Sequence, residues 1–245
     1  GKLIPSFGKE GGLDLREGLE RKDVQDLFMA PTSPVMVYKN LFIVSGLVAE
    51  NTPGHTRAFD VKTGEQKWIF HTIPYPGEFG YDSWKDTAAY KHIGSANSWT
   101  GFSLDEKAGV LFAPTGSAAY DFYGGKRKGA GLFANSVLAI DASTGKLKWH
   151  YQVIHHDLWD KDLPTAPVLV TVKHDGKDVD AVAQPTKHGF VFLLDRATGK
   201  PLFPVKETAV ETKSELAGEE PWPTQPIPTL PVPYARQTLT ENDIN

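Results

Sequence analysis

Ala139-Ile140-Asp141-Ala142-Ser143-Thr144-Gly145-Lys146-Leu147-Lys148-Trp149 is a near copy of Ala58-Phe59-Asp60-Val61-Lys62-Thr63-Gly64-Glu65-Gln66-Lys67-Trp68. A third, weaker version is Leu193-Leu194-Asp195-Arg196-Ala197-Thr198-Gly199-Lys200-Pro201-Leu202-Phe203. In each, a hydrophobic run meets Asp, then a Thr-Gly turn, then a second run with an aromatic residue four places after the glycine. The pattern predicts a β-hairpin, because glycine accepts positive φ while Asp and Thr side chains bond the turn amides.

Working outward, two further strand-like runs precede each hairpin. They are Pro34–Tyr38 and Leu41–Ser45 before the first, and Ser98–Ser103 and Val110–Pro114 before the second, turning over Asp105–Gly109. Before the third come Ala166–Val172 and Val179–Gln184, turning at Asp175-Gly176-Lys177. The recurrence predicts an all-β fold with three four-stranded blades of a β-propeller, at 32–72, 98–151 and 165–206, and with the repeated aromatic wedged between neighbours. A single β-sandwich offers no reason for its outer hairpin to recur. Propellers close with about four to eight blades, so residues 1–245 are expected to form one partial propeller domain whose sheet edges another piece covers. Gly1-Lys2-Leu3 resembles Gly145-Lys146-Leu147, as though the chain starts inside a preceding hairpin. Residues 207–245, with six prolines between Glu220 and Tyr234, are read as a proline-rich segment crossing between blades without strand alternation.

The chain is 40% hydrophobic and 11% aromatic, with 23 Gly and 18 Pro, the composition of a turn-rich globular protein. A formal charge of -4 without a Lys/Arg block argues against nucleic-acid or anionic-membrane partners. The absence of cysteine excludes disulfides, thiolate chemistry and Cys-x-x-Cys-His haem attachment within the chain. No apolar run approaches the roughly 20 residues that span a bilayer.

The long insertions are 71–97, 117–135, 152–164 and the stretch from 207 onward. Their Trp, Tyr, His and Gly content favours a lined pocket over disorder, since unstructured loops beyond about 12 residues are functional or disordered. One of them carries His155-His156-Asp157-Leu158-Trp159-Asp160-Lys161-Asp162. Closely spaced carboxylates repel, and each wants a cation or a hydrogen-bond donor. Asp160 is the candidate catalytic base; Asp157 and Asp162 are read as turn or cap residues, and His155 and His156 as hydrogen-bond partners beside a strand end, with substrate contact as the lesser alternative.

Ala-x-Asp-x-x-Thr-Gly-x-x-x-Trp resembles the tryptophan-docking repeat of the quinoprotein dehydrogenases, eight-bladed propellers that carry pyrroloquinoline quinone (PQQ). The order Pro31-Thr32-Ser33-Pro34, Asn97-Ser98-Trp99, His155 to Asp160, Pro185-Thr186-Lys187 and Pro223-Thr224-Gln225-Pro226 is most similar to the membrane-bound glucose dehydrogenase branch. On this resemblance the chain corresponds to a little under half of a family member. The resemblance implies Asp160 as general base, Lys187 as the cation on the quinone oxygens, and Trp99 as the indole on which the cofactor lies. It also implies Thr32 and Asn97 as cofactor contacts, and Glu50, Ser117 and Asp160 as ligands of Ca2+ or Mg2+, Ser117 standing where the family usually has Asn. A small alcohol or sugar substrate, ubiquinone or cytochrome c as electron acceptor, the remaining blades as partners, and a periplasmic location, with any membrane anchor in a segment outside this chain, follow from the same likeness. The competing expectations are a non-catalytic propeller scaffold of the outer-membrane assembly type and a degenerate quinoprotein; a scaffold has no use for Asp160, Lys187 and Trp99 at one site.

Overall fold

A computed structural model describes residues 2–22 and 24–244. Among the described residues fifteen short strands run in chain order, beginning with β1 (Met29–Ala30), β2 (Met36–Tyr38), β3 (Leu41–Val44), β4 (Leu47–Val48), β5 (Thr56–Asp60) and β6 (Gln66–Phe70). Next come β7 (Ser103–Asp105), β8 (Val110–Pro114), β9 (Ser136–Asp141) and β10 (Leu147–Gln152). The last are β11 (Val168–His174), β12 (Lys177–Pro185), β13 (Val191–Asp195), β14 (Val205–Ala209) and β15 (Thr224–Pro228). Antiparallel pairing gives two four-stranded sheets, β2-β3-β5-β6 and β7-β8-β9-β10, a three-stranded sheet β11-β12-β13, and the pairs β1-β4 and β14-β15.

The sheets stack face to face because period-two alternation serves both neighbours of the middle one. In β8, Leu111 and Ala113 pack toward the first sheet while Val110 and Phe112 pack toward the third. β9 divides likewise, with Leu138 and Ile140 on one side and Val137 and Ala139 on the other. Each large aliphatic or aromatic side chain so buried contributes about 1.5–3 kcal/mol.

The repeated hairpins supply the joints between sheets. Oδ1 of Asp60, Asp141 and Asp195 accepts the hydroxyl of the following Thr63, Thr144 and Thr198 at 3.2, 3.0 and 2.7 Å, together with two turn amides each. The tryptophan of one repeat then rests on the glycine of the next. Trp68 donates Nε1–H to the Ala142 carbonyl at 3.2 Å, and Trp149 does so to Arg196 at 3.1 Å. A Cβ on Gly145 would lie 2.7 Å from the Trp68 ring, and one on Gly199 would lie 2.5 Å from Trp149. A register shift just before each tryptophan, at Lys67 and at Lys148, re-aims the ring. Over Gly64 the same place is taken by Phe7, whose ring would be 3.3 Å from a Cβ there. Of the expected likeness at Gly1-Lys2-Leu3, Gly1 lies outside the described residues.

Three strand expectations are corrected. The run Ser98–Ser103 is mostly a turn through Trp99 and Thr100, so β7 starts only at Ser103. The third sheet has three strands, because Pro201 lacks an N–H and the chain after Gly199 makes a single bridge to Leu194. The proline-rich tail, in contrast, contains a strand. Thr229 N–H donates to Pro204 O at 2.9 Å and Val210 N–H to Pro223 O at 3.1 Å, so the odd-numbered residues of β15 face β14. Pro226 and Pro228 therefore face the open edge, where a missing donor costs no ladder bond.

Gly145 and Gly176 share a left-handed backbone, φ 73° and 76°, but a Cβ on Gly176 would meet nothing within 4 Å. Gly176→Ala should cost only the left-handed strain, about 1–2 kcal/mol, whereas Gly145→Ala should lose about 1–3 kcal/mol more by driving Trp68 from its seat. Equal shifts in urea midpoint for the two variants would mean that the ring is not held against the turn.

Candidate active site

The acidic insertion is anchored by apolar residues at both ends: Val153 and Ile154 leaving β10, and Leu163 before the third sheet, all buried. Between them Asp157, 3% exposed, acts as an internal hub. Its Oδ1 accepts Trp159 N–H at 3.0 Å, and its Oδ2 accepts Lys161 N–H at 2.5 Å, the Asn135 amide at 3.1 Å and the Ser117 hydroxyl. The tight course this imposes puts His156 and Asp160 in left-handed backbone, φ 46° and 51°, a region Asp tolerates better than bulky residues.

Asp160 is met by Lys187 from the turn after β12. Lys187 Nζ lies 2.9 Å from Asp160 O, 3.1 Å from Asp160 Oδ2 and 3.4 Å from Asp162 Oδ2. Trp99 joins through its indole, whose Nε1 donates to Asp162 Oδ2 at 3.1 Å. Thr32 and Ser33 hydroxyls donate to the Trp99 carbonyl at 2.8 and 2.7 Å. The base candidate, the ammonium, the indole and Thr32 thus converge from four separate stretches of sequence.

The tail straps both loops. Gln225 accepts His155 N–H at 2.9 Å and donates to His155 O at 2.7 Å. Tyr234 N–H donates to Gly189 O and Gln237 to His188 O, both at 2.9 Å, fixing the Lys187 turn.

Other expected site residues are placed differently. Asn97 is buried, with its amide donated to Gly46 O at 2.7 Å and its Cβ filling the space over Gly54. Ser117 is 2% exposed; its hydroxyl donates to Asp157 and accepts from Asn135, so that oxygen is already committed inside the protein. Glu50 is exposed and makes no side-chain hydrogen bond or ion pair among the described residues. Among the described residues no three His, Asp or Glu side chains converge closely enough to hold a metal ion. The Lys187 and Asp160 side chains are each about one-third exposed, on an open surface. The half-open pocket nearby, about 240 Å³, is lined by Leu158, Trp159, Lys161, Trp222 and Gln225, not by Asp160 or Lys187.

Negative charge exceeds positive here. Burial lifts the Asp160 carboxyl above its ordinary range; Lys187 pulls the other way and Asp162 adds to the lift. Burial alone would lower Lys187, but Asp162 and Asp160 outweigh it and raise the ammonium. Burial holds His188 at about 4, leaving it neutral near pH 7. Asp121, which sequence reasoning passed over, is half-buried and pushed up to about 6, first by burial and then by Asp162 and Asp160, with Glu50 adding to the effect.

A carboxyl whose folded pKa is about 6 against an ordinary 3.8 favours folding at low pH and loses that contribution as the pH rises through 6. Replacing it should help where the charge would form. In the cofactor-free protein Asp121→Asn should raise the melting temperature at about pH 7.5 by roughly 2–4 °C, allowing for solvent screening, and leave it unchanged near pH 4. A shift of the same size at both pH values would remove the charge explanation.

Over residues 1–245 the sequence matches the family described as PQQ: glucose/ethanol/alcohol dehydrogenase, beta-propeller domain. It is 37% identical over 252 residues to a quinoprotein glucose dehydrogenase of Gluconobacter oxydans, covering 100% of this chain and 30% of that protein. To a quinate/shikimate dehydrogenase (quinone) of Acinetobacter baylyi it is 36% identical over 257 residues, with the same coverage of 100% and 30%. The fold superposes on a quinohemoprotein alcohol dehydrogenase from Pseudomonas putida with a TM-score of 0.65 at 27% identity, over 79% of this chain and 30% of that one. The chain therefore spans under a third of the length of these relatives. With the hairpin repeat, the stacked antiparallel sheets and a match along its whole length, the chain belongs to the PQQ-dependent glucose/ethanol/alcohol dehydrogenase family, as part of the β-propeller domain.

Proposed function

We infer that this chain is the base-bearing sector of a PQQ-dependent dehydrogenase that oxidises a hydroxyl of an alcohol or aldose, with a glucose-type sugar going to its lactone. The observation that carries the reading is the convergence of Asp160, Lys187 and Trp99: the ammonium is 3.1 Å from the carboxylate, and Asp162 ties in the indole. A planar quinone bearing carboxylates needs an aromatic floor and a cation at its edge, and the partly exposed Trp99 and Lys187 fit that need.

PQQ, when bound, supplies the hydride-accepting carbon. Asp160 takes the substrate hydroxyl proton on Oδ1 or Oδ2, which requires it to be ionised and within about 3 Å of that proton's oxygen. Lys187 keeps Asp160 ionised, while the lift from burial and Asp162 brings the carboxyl nearer the pH at which a base works best. Lys187 directs its three N–H donors at Asp160 O, Asp160 Oδ2 and Asp162 Oδ2, so a quinone oxygen would draw its donor from the longest of these contacts, the 3.4 Å one to Asp162. Trp99, fixed at its carbonyl by Thr32 and Ser33, presents the floor. A Ca2+ or Mg2+ ion would be held by Glu50 and Asp160, both of which lie close enough to Asp121 to raise its pKa, and would supply Lewis-acid polarisation of the quinone carbonyl. The glucose-type substrate is favoured by the glucose dehydrogenases among the relatives. A quinone or cytochrome acceptor and a periplasmic location are part of the same proposal, supported by the family resemblance.

The test is dye reduction with glucose by the full-length protein supplied with PQQ and calcium. Reduction is expected; absence of PQQ binding would favour the scaffold, and binding without reduction the degenerate form. Asp160→Asn should abolish turnover while PQQ affinity stays within about tenfold, because the amide keeps the shape but takes no proton. Unchanged turnover in that variant would remove Asp160 from the role.

A further inference from the structure

Asp162 reads in the sequence as a turn or cap residue, yet its side chain is only 17% exposed and both oxygens reach across the site. Oδ1 accepts Ser117 N–H at 2.6 Å, and Oδ2 accepts Trp99 Nε1–H at 3.1 Å and lies 3.4 Å from Lys187 Nζ. Space is kept for it: a Cβ on Gly116 would sit 2.5 Å from Oδ1. No other side chain among the described residues hydrogen-bonds both the indole and the ammonium.

A partly exposed tryptophan swings about two side-chain torsions unless its ring edge is held. The Thr32 and Ser33 hydroxyls reach only the Trp99 carbonyl and bond no atom of the ring. Asp162 supplies the missing restraint with a charge-assisted bond, stronger than a neutral one. It is itself braced by a backbone amide from another insertion. A ring already fixed loses less freedom when a flat ligand stacks on it.

We propose that Asp162 is a positioning residue that locks the Trp99 indole and the Lys187 ammonium in one register, so that a flat anionic quinone meets floor and cation already set. This rests on Trp99 and Lys187 receiving PQQ as argued above, and assigns Asp162 no proton to carry.

The test is a double-mutant cycle in the cofactor-depleted full-length protein, reading the PQQ dissociation constant from quenching of tryptophan fluorescence. Trp99→Phe keeps an aromatic face but removes the N–H that Asp162 holds. Asp162→Ala and Trp99→Phe should each weaken PQQ about tenfold, equivalent to about 1.4 kcal/mol. The double variant should be no more than about threefold weaker than the worse single one, since both changes break the same link. Losses that multiply, or an Asp162→Ala protein that binds PQQ as tightly as the unchanged one, would overturn the assignment. If Asp162→Ala does not fold, Asp162→Asn takes its place in the cycle, because its amide keeps the volume but cannot accept both N–H groups. Failure of the unchanged protein to bind PQQ would overturn the functional reading and the assignment with it; normal binding with multiplying losses would overturn the assignment alone.

Discussion

An indole resting where a glycine leaves room is the contact on which the rest of the structure depends. For Trp68 to lie over Gly145, the turn must lack a Cβ, adopt φ 73° and turn a carbonyl outward to the ring nitrogen. Asp141 arranges all of this by closing the turn on itself, with Gly145 N–H donating to Asp141 O at 2.8 Å. Turn chemistry and sheet stacking are thus one device, which is why Asp, Thr, Gly and Trp recur together. The site inherits its precision from that joint. Asp160 rises from the loop after β10 and Lys187 from the turn after β12, in consecutive sheets, so their 3.1 Å separation is only as constant as the spacing that Trp149 on Gly199 maintains.

Carboxylates outnumber cations at this place, and the excess has a chemical consequence. One ammonium at about 3–3.5 Å cannot neutralise two carboxylates, and Asp121 adds a third in the same field. Opposite charges stabilise a carboxylate and like charges raise its pKa; here burial and the Asp162 charge win over Lys187. An arrangement selected for stability alone would match the charges or move them apart. Asp160 left poised above its ordinary range fits a group that must both give up and accept a proton.

What was legible in the sequence is local or repeated. The Asp-x-x-Thr-Gly turns and their aromatics are written within eleven residues, so the hairpins and the all-β stacking could be read before any long-range contact was known. Asp160 stands out within the acidic cluster 155–162, but its link to Lys187 and Trp99 comes only from the resemblance, since no periodicity joins positions 99, 160 and 187. Residues whose meaning lies in a distant partner were missed or misplaced. Asp162 looked like a cap because its partners are Trp99, Ser117 and Lys187, while Asn97 and Ser117 looked like site residues although their polar atoms close internal contacts. The hint for Asp162 was its place in the same acidic cluster, two residues after Asp160.

The proline tail shows why a strand signal and a breaker signal need not conflict. Pro226 and Pro228 are two apart, so both fall on the same edge of β15, and that edge has no partner among the described residues. Proline there fixes φ, lowers the entropy of the unfolded chain and leaves no row of donors for another strand to pair with. The resulting stiff strap reaches from Gln225, which clasps the backbone of His155 on both sides, to Tyr234 and Gln237 on the Lys187 turn. Asp160 and Lys187 stand on separate loops, and a flexible tail could hold neither relative to the other. A rigid segment bonded to the backbone of both makes their separation a property of the strap as well as of the sheets beneath.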